Sequence, residues 1–223
     1  MNIKVFDSLP STNDYIKTLK SLLKEDLAVQ AKHQTKGKGR FGNHWNDHKD
    51  KDLLMSVYYK SLNDSNKALM MTTIALYNVL RNEGLNPSVK LPNDLYVDGK
   101  KISGILIEQV QPHALIIIGV GLNVNSEPSN DDYQATSLKQ VTQSVYEITQ
   151  LRDVFLNELQ KSYALTIDAL LTLYKTIVLS TNQTAYYHQK KVEIRDINAT
   201  FQCKISNDEW IDCGALQFLK PHA

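Results

Sequence analysis

The sequence predicts an α+β protein in which a mixed or antiparallel sheet is flanked by helices. Between residues 88 and 125, three apolar, β-rich segments follow one another closely, and Asp98-Gly99 between the first two is a tight-turn signal that predicts a hairpin. Residues 67–81 have the length and periodicity of a largely buried helix. Short strand candidates resume near the C-terminus. We therefore predict two domains, a larger one over residues 1–182 and a small β domain over residues 183–223.

The N-terminal elements alternate between strands and a helix. Ser11 and Thr12 are both good N-cap residues, and the apolar side chains that follow them fall at helical spacing. A glycine-rich and then very polar stretch separates two segments that alternate like strands. The predicted elements are, in order, a strand at residues 3–6, a helix over residues 15–23, and strands at residues 27–34 and 53–59.

Helix stops and turn residues define the later elements. Gly84 closes the helix over residues 67–81. Pro92 lies inside the first of the three β segments, and because proline cannot donate to a ladder it predicts a sheet edge or a bulge. The helical region from about residue 145 to residue 171 should be broken, since its apolar face cannot be followed with one phase. The C-terminal strand candidates are VEIRD (192–196), TFQCKI (200–205) and ALQFL (215–219).

Composition limits the possible function classes. The 223 residues are 42% apolar and 22% charged, which is ordinary for a globular protein. The formal net charge of +1 creates no overall field toward nucleic acid or an anionic membrane, so any anion binding must be local. The longest apolar stretch is too short to span a bilayer, and no signal-peptide pattern begins the chain. We predict a cytoplasmic protein that binds neither DNA nor a membrane.

The two cysteines, Cys203 and Cys213, lie close together in strand-like sequence. They allow either a disulfide or two reduced structural thiols. We expect reduced thiols, because cytosolic proteins keep their cysteines reduced. The chain has no zinc-ligand spacing.

The run GKGRFG at residues 37–42 has the G-x-G-x-x-G spacing of a dinucleotide-binding turn. A Rossmann turn needs an apolar helix from the third glycine, and none can be drawn over NHWNDHKDKD; the Walker pattern is absent as well. What remains is a loop with three flexible glycines and three cations within five residues, Lys36, Lys38 and Arg40. This favours an anion-binding loop, and a solvated hairpin with incidental charges is the alternative that this segment leaves open.

A second group of polar residues lies on the predicted hairpin. A lysine ahead of apolar strand residues can reach over a pocket, and a glycine in a strand leaves room for a ligand or marks a bulge. Each residue taken alone has an ordinary structural explanation, such as a turn, an ion pair or a solvated cation. Their occurrence together with the basic loop predicts a ligand site. The residues are Lys90, Asn93, Asp94, Lys101 and Gly104.

Six elements in this order resemble the biotin protein ligases. The resemblance covers about residues 3–180, and the last forty residues resemble the small SH3-like β domain of that family. It implies a class II synthetase-like catalytic domain. The elements are the Ser11-Thr12-Asn13 triplet, QTKGKGRFGNHW (34–45), KLPND (90–94), KKISGILIE (100–108), GVGLNVN (119–125) and ATSL (135–138).

The resemblance also implies a reaction and a set of site residues. Biotin and ATP would give biotinyl-5′-AMP and pyrophosphate, and a lysine of a biotin carboxyl carrier protein would then take the biotinyl group. Lys101, Arg40 and Asp94 would have catalytic roles, and Asp94 would either bind Mg²⁺ or orient the incoming lysine. The implied biotin and adenylate ligands are Ser11, Thr12, Asn13, Gln34, Gly37, Lys38, Gly39, Arg40, Trp45, Asn93, Lys101, Gly104 and Asn123.

The chain departs from the family pattern at four positions. Lys38, Phe41 and Asn43 stand where arginines are usual, and Leu91 replaces a common tryptophan. Lysine cannot make the bidentate grip of arginine on phosphate, so we expect weaker retention of the adenylate.

Three further expectations concern alternatives and partners. The alternatives to biotin ligation are a lipoate or octanoate ligase or transferase on the same fold, and a non-catalytic biotin-binding relative. Because nothing before Ile3 could supply a helix-turn-helix, no operator binding is expected. The resemblance allows a homodimer, since members of the family often pair through exposed sheet edges.

Overall fold

The computed structural model describes residues 1–111, 115–128, 134–180 and 184–217, and within these ranges the chain forms two sheets and five α-helices. In chain order the elements are β1 (Asn2–Phe6), α1 (Thr12–Thr18), β2 (Leu27–Ala31), β3 (Leu53–Tyr58), α2 (Ser65–Asn82), β4 (Ser88–Lys90), β5 (Asp94–Val97), β6 (Lys100–Val110), β7 (Leu115–Leu122), α3 (Leu138–Thr142), α4 (Ile148–Tyr163), α5 (Ile167–Leu179), β8 (Thr184–Tyr187), β9 (Lys190–Ile197), β10 (Gln202–Ile205) and β11 (Trp210–Asp212).

The larger sheet has seven strands in the order β1-β2-β3-β7-β6-β5-β4. Only β1 and β2 pair in parallel, and the other neighbouring strands of this sheet are antiparallel. Helix α2 packs on one face, where Met71 and Leu76 join the core with Met55, and α1 packs on the other, where Ile16 meets Val29. The predicted α+β class, a mixed sheet flanked by helices, is confirmed.

Local capping explains most helix boundaries. The Ser11 hydroxyl accepts a hydrogen bond from Asp14 N and begins α1, which ends at Thr18 and not at residue 23 as expected. Leu22 beyond the helix is 70% exposed, so no packing face holds a longer helix there. Gly84 follows α2 with a positive φ of 77°, as predicted. No helix within the described ranges has the length and apolar character needed to cross a bilayer.

The predicted break in the second helical region is confirmed. Helix α4 ends at Tyr163, and the Thr166 hydroxyl accepts from Ala169 N to begin α5. The two helices present different faces to the core, which is why a single phase could not be followed through the sequence.

The hairpin around Asp98-Gly99 is also confirmed. Asp98 and Gly99 have φ values of 50° and 74° and join β5 to β6 in antiparallel pairing. Pro92 follows a cis peptide bond in the connection between β4 and β5, and β4 is the edge strand of the sheet. The segment over residues 88–97 therefore forms a hairpin of its own, where a single strand was expected.

The second sheet is antiparallel, with the order β11-β10-β9-β8. Strands β8 and β11, of four and three residues, were not predicted. The strand expected at residues 215–219 is wrong where it is described: Cys213–Ala215 is a 3₁₀ turn, and Gln217 forms an isolated bridge with Tyr186. Residues 218 and 219 lie outside the described residues, as does the expected domain boundary at residues 182 and 183.

Cys203 and Cys213 form a disulfide, so the expectation of reduced thiols is wrong. Antiparallel pairing of β10 with β11 brings the two cysteines together: Cys203 faces Ile211, and Cys213 N donates to Phe201 O at 3.0 Å. The resulting Cα–Cα distance of 5.3 Å is within the range that a disulfide requires. Both side chains are buried.

Candidate active site

An open cavity lies between the start of α1, the glycine-rich loop, the start of β5 and the middle of β6 and β7. It is on the face of the large sheet that α1 covers, and strand alternation brings the side-chain positions of Gly104, Leu106 and Glu108 to that face. The predicted site residues that line this cavity are Ser11, Thr12, Asn13, Gln34, Lys38, Gly39, Arg40, Trp45, Asn93, Asp94, Lys101 and Gly104.

One wall of the cavity is a buried hydrogen-bond network. Gln34 Oε1 accepts from Thr12 N at 2.7 Å and from Thr12 Oγ1 at 3.1 Å. The Ser56 hydroxyl donates to Thr12 Oγ1 at 2.6 Å and also contacts Asn13 Oδ1. Asn13 Nδ2 donates to Glu108 Oε2 at 2.7 Å. Because these groups come from α1, β3, β6 and the segment after β2, the wall is fixed before any ligand arrives.

Sequence reasoning missed Ser56 and Glu108. Ser56 is fully buried in the apolar run LLMSVY, and a hydroxyl in such a strand must find a hydrogen-bond partner. That signal was available. The partners themselves could not be read from the sequence, since Ser56 is 43 residues from Asn13 along the chain.

Three glycines form the floor of the cavity. Gly104 and Gly121 are direct cross-strand neighbours under the Trp45 ring, and a Cβ on Gly104 would be 2.9 Å from Trp45 Cζ3. On Gly121 a Cβ would lie closer still to the indole. A Cβ on Gly119 would be 2.7 Å from Asn13 Oδ1. The sheet is therefore flat where the indole and Asn13 rest. Gly104 was predicted as a site residue, whereas Gly119 and Gly121 were not.

The Trp45 indole lines the cavity and lies over Gly104 and Gly121. The residue is only 9% exposed, and its Nε1 is buried without a hydrogen-bond partner among the described residues. Lys101 Nζ lies 5.4 Å from the ring centroid, which is the distance of a cation–π contact. Leaving a buried N–H without a hydrogen bond destabilises a protein by about 1–3 kcal/mol. A hydrogen bond from Trp45 Nε1 to a ligand acceptor would therefore be favourable.

Three cations converge on the cavity. Lys101 Nζ is 2.9 Å from Asp94 Oδ2 across the β5–β6 hairpin. Arg40 Nη1 donates to Asn93 Oδ1 at 2.9 Å, and Asn93 Nδ2 in turn donates to the Ile105 carbonyl at 2.9 Å. Lys38, the third cation, reaches from the glycine-rich loop. This part of the cavity is suited to a ligand with several negative oxygens.

Lys38 pairs with Asp14 in the first turn of α1, where Nζ and Oδ2 are 2.6 Å apart. Partial burial acts to raise the pKa of Asp14, but the hydrogen bonds from Lys38 and Lys17 outweigh it, and the net pKa is lowered. Asp14 is therefore an ionised partner of the loop at neutral pH.

The glycine-rich loop is itself a small hairpin. Trp45 N donates to Gly37 O at 3.1 Å, and Gly39 N donates to Asn43 O at 2.7 Å. Its tip is a 3₁₀ turn in which Phe41 has a positive φ of 57° and is 87% exposed. A Cβ on Gly37 would be 2.5 Å from Trp45 O, so this glycine permits the two sides of the hairpin to approach.

Two predicted binding residues do not line the cavity. Gly37 is used inside the loop hairpin, as just described. Asn123 is buried, and its Nδ2 donates to the Thr136 carbonyl at 2.9 Å while its own carbonyl accepts from Leu138 N at 3.1 Å. Asn123 therefore joins the end of β7 to the ATSL segment, and its side chain is not available to a ligand in the cavity.

The fit of a magnesium ion can be judged from the donor groups. Among the described residues, no group of three or more histidine, cysteine, aspartate or glutamate side chains could hold a metal. Asp94 is a single cavity carboxylate, already 2.9 Å from Lys101 Nζ. Magnesium is commonly held by one or two carboxylates together with substrate phosphates and water, and Asp94 fits that pattern.

The chain is similar to known proteins in sequence and in fold. Residues 5–125 match the biotin/lipoate A/B protein ligase family. The bifunctional ligase/repressor BirA of Salmonella typhimurium is 31% identical over 138 residues, which cover 59% of this chain and 43% of that protein. The biotin--[acetyl-CoA-carboxylase] ligase of Mycobacterium tuberculosis is 31% identical over 144 residues, which cover 61% of this chain and 53% of that protein. The matches thus span about half, or less, of those relatives.

The structure is similar to that of the biotin protein ligase from Aquifex aeolicus in complex with biotin and ATP. The TM-score is 0.77, with 20% identity and coverage of 97% of each chain. At this identity the similarity shows the fold. Because the family match extends over more than half of the sequence, the chain belongs to the biotin/lipoate A/B protein ligase family.

Proposed function

We propose that this protein activates biotin with ATP, as biotinyl-5′-AMP, and transfers the biotinyl group to a lysine of a biotin carboxyl carrier protein. One observation carries the proposal: a single cavity has the buried, uncharged side chains of Thr12, Asn13 and Gln34 on one side, and the cations Lys38, Arg40 and Lys101 on the other. Biotin has the matching parts, since its ureido head is neutral and polar and its carboxylate becomes bound to phosphate during activation.

The wall suits the ureido head. A ureido group carries one carbonyl acceptor and two N–H donors, and Thr12, Asn13 and Gln34 supply hydroxyl and amide groups of both kinds. Since the wall is already ordered by Ser56 and Glu108, little conformational entropy is lost on binding. Small-molecule sites commonly combine an apolar lining with a few fixed polar groups of this kind.

The cations suit the first chemical step. A biotin carboxylate oxygen attacks the α-phosphorus of ATP, a new oxygen–phosphorus bond forms, and the bond to the departing pyrophosphate breaks. One anion approaches another, so Lys101 and Arg40 stabilise the transition state by neutralising oxygen charge. Asp94 would hold a magnesium ion together with the phosphates, and that ion would supply further charge neutralisation when bound.

In the second step a neutral lysine amine of the carrier attacks the acyl carbonyl. An amide bond forms, the bond to AMP breaks, and the amine loses a proton. Asp94 lines the cavity and is suited to orient the amine or accept that proton. The adenylate is labile in water, so the glycine-rich loop, with Arg40 and Lys38, would retain it by covering the cavity.

A decisive experiment uses purified protein with ATP, Mg²⁺ and biotin, lipoate or octanoate in parallel. We expect pyrophosphate release and biotinyl-5′-AMP with biotin, and labelling of a biotin carrier domain but not of the same domain with its acceptor lysine replaced by arginine. Pyrophosphate release with only lipoate or octanoate would show that this acid, and not biotin, is the substrate. Binding of biotin without pyrophosphate release would identify a non-catalytic relative.

A cytoplasmic location, a homodimer and the absence of operator binding stay predictions.

A further inference from the structure

A chain of alternating charges joins the glycine-rich loop to the rigid part of the site. Lys38 Nζ in the loop is 2.6 Å from Asp14 Oδ2 in the first turn of α1. Asp14 Oδ1 also accepts from Lys17 Nζ at 3.0 Å, and Lys17 Nζ is 2.8 Å from Glu108 Oε1 on β6. Glu108 in turn holds Asn13 of the wall. Asp14 is therefore fixed from the sheet side and faces the loop with its other oxygen.

Asp14 stands behind Lys38 and is not part of the cavity lining, whereas Lys38 is. An ammonium group has three donors, and Asp14 takes one of them. An ion pair of this kind fixes the direction in which the lysine side chain extends while leaving donors for an anion in the cavity.

The loop has further attachments at its base and its tip. At the base, Thr35 N donates to Leu9 O at 2.9 Å and Lys36 N donates to Pro10 O at 2.8 Å. At the tip, Arg40 donates to Asn93 across the cavity. Lys38 adds a side-chain attachment between these two ends, on the α1 side.

We propose that Asp14 is a positioning residue that latches the glycine-rich loop over the cavity through Lys38. The latch belongs to the ligand-free protein, whereas its use in retaining an adenylate rests on the function proposed above. Both side chains are partly exposed, 36% for Asp14 and 45% for Lys38, so the pair contributes modestly and can open and close. Such a pair is consistent with a loop that must admit substrates and release product.

The first test measures hydrogen exchange in the ligand-free protein. In Asp14→Asn, we expect the amides of residues 36–45 to exchange about threefold to fivefold faster, the upper part of the range for a partly exposed ion pair. Asp14→Glu should restore slow exchange. Asp7→Asn is the matched control, because Asp7 forms a 2.8 Å ion pair with Lys32 away from the cavity lining. This substitution should leave the hydrogen-exchange rates of residues 36–45 unchanged.

A double-mutant cycle identifies the partner. If Asp14 acts through Lys38, the Asp14→Asn/Lys38→Met protein should exchange no faster than Lys38→Met alone. Wild-type exchange in Asp14→Asn, or additive effects of the two changes, would overturn the latch.

The second test measures adenylate retention. In Asp14→Asn, biotinyl-5′-AMP formed on the enzyme should dissociate about threefold to fivefold faster, while biotin alone binds within twofold of wild type. Wild-type retention despite faster loop exchange would overturn the positioning role. If the wild-type protein forms no adenylate, the proposed function fails instead, and the exchange experiment still decides the latch.

Discussion

The two sides of the cavity are built differently. On the α1 side, Thr12, Asn13 and Gln34 are at most 8% exposed and share a network with a buried strand hydroxyl. On the loop side, Lys38 and Arg40 extend from a small hairpin whose tip residue, Phe41, is 87% exposed. Neutral polar recognition is thus assigned to groups that do not move, and part of the positive charge to a segment that can open. A site that must both select a small molecule and exclude water needs both kinds of construction.

Comparing Lys101 with Arg40 shows whether a cation on the sheet or one on the loop contributes more to biotinyl transfer, because Lys101 lies on the sheet. Its side chain is 13% exposed and is held by Asp94 and the Trp45 ring. Lys101→Ala should lower biotinyl transfer by about 10²-fold, the typical cost of losing one transition-state donor. Arg40→Ala, on the loop, should lower it by at least about tenfold, with part of its effect in adenylate retention.

Single-turnover kinetics with a carrier domain measure both variants. Lys100→Ala is the matched control, since it removes an exposed lysine next in sequence, and it should stay within twofold of wild type. Wild-type rates in both Lys101→Ala and Arg40→Ala would contradict the roles assigned to these cations.

Gly121→Ala tests whether the floor must be flat. A Cβ at this position would overlap the Trp45 indole, so either the indole must move away from Gly121 or the strand must shift. Overpacking of this kind costs about 1–3 kcal/mol of unfolding free energy. In a Trp210→Phe background, where Trp45 is the remaining tryptophan, we expect its emission to shift to the red as the indole becomes exposed. Unchanged emission and stability would mean that the floor does not hold the ring.

Ser56→Ala tests the wall. The change removes the hydroxyl that contacts Thr12 and Asn13, and it should weaken biotin binding about fivefold, which corresponds to about 1 kcal/mol for one lost hydrogen bond. Thr72→Ala is the control, because Thr72 is an equally buried hydroxyl that donates within α2 at 2.7 Å, away from the cavity lining. Titration calorimetry should show weaker biotin binding in the first variant only, although both lose similar stability. Equal affinities would remove Ser56 from the wall.

The same contrast separates what the sequence could predict from what it could not. Glycines, turns and caps act locally, so the Asp98-Gly99 hairpin and the Ser11 cap were predictable. The order of the elements that resemble the biotin protein ligases led to most of the cavity lining. Ser56 and Glu108 were missed because their partners are set by strand register: Ser56 faces Gly119 across β3 and β7, directly below Asn13. No local pattern encodes that alignment.

The direction of the Asn123 side chain and the oxidation state of Cys203 and Cys213 also could not be predicted from the sequence. Asn123 sits at the end of a buried strand, where a polar residue can face a ligand or tie down the next loop, and it does the second. The disulfide between Cys203 and Cys213 depends on the pairing of β10 with β11, a strand of only three residues. An expectation based on cellular compartment could not replace that geometry.

The smallest expected effect concerns the pH dependence of stability, and it distinguishes Asp14 from the buried Asp52. The pKa of Asp14 is lowered below its ordinary value of 3.8, because the hydrogen bonds from Lys38 and Lys17 outweigh partial burial. Its contribution to stability is therefore present above the unfolded pKa and is lost as pH falls through the lower folded pKa. Since the pair is partly exposed, this contribution should be below about 1 kcal/mol.

Asp52 should show the opposite sign. Burial raises its pKa despite hydrogen bonds from Val124 N and His48 N, so the folded state binds the proton more readily than the unfolded state. Its ionisation then lowers stability as pH rises from the ordinary value of 3.8 through the higher folded pKa. The test uses Asp14→Asn, which lacks the ionised carboxylate that Lys38 and Lys17 stabilise. Urea unfolding between about pH 3 and pH 7 should show a smaller loss of unfolding free energy toward low pH in this variant than in wild type. An unchanged acid limb in that variant would mean that Lys38 and Lys17 do not hold Asp14 in solution, and the loop would then depend on its base and tip alone.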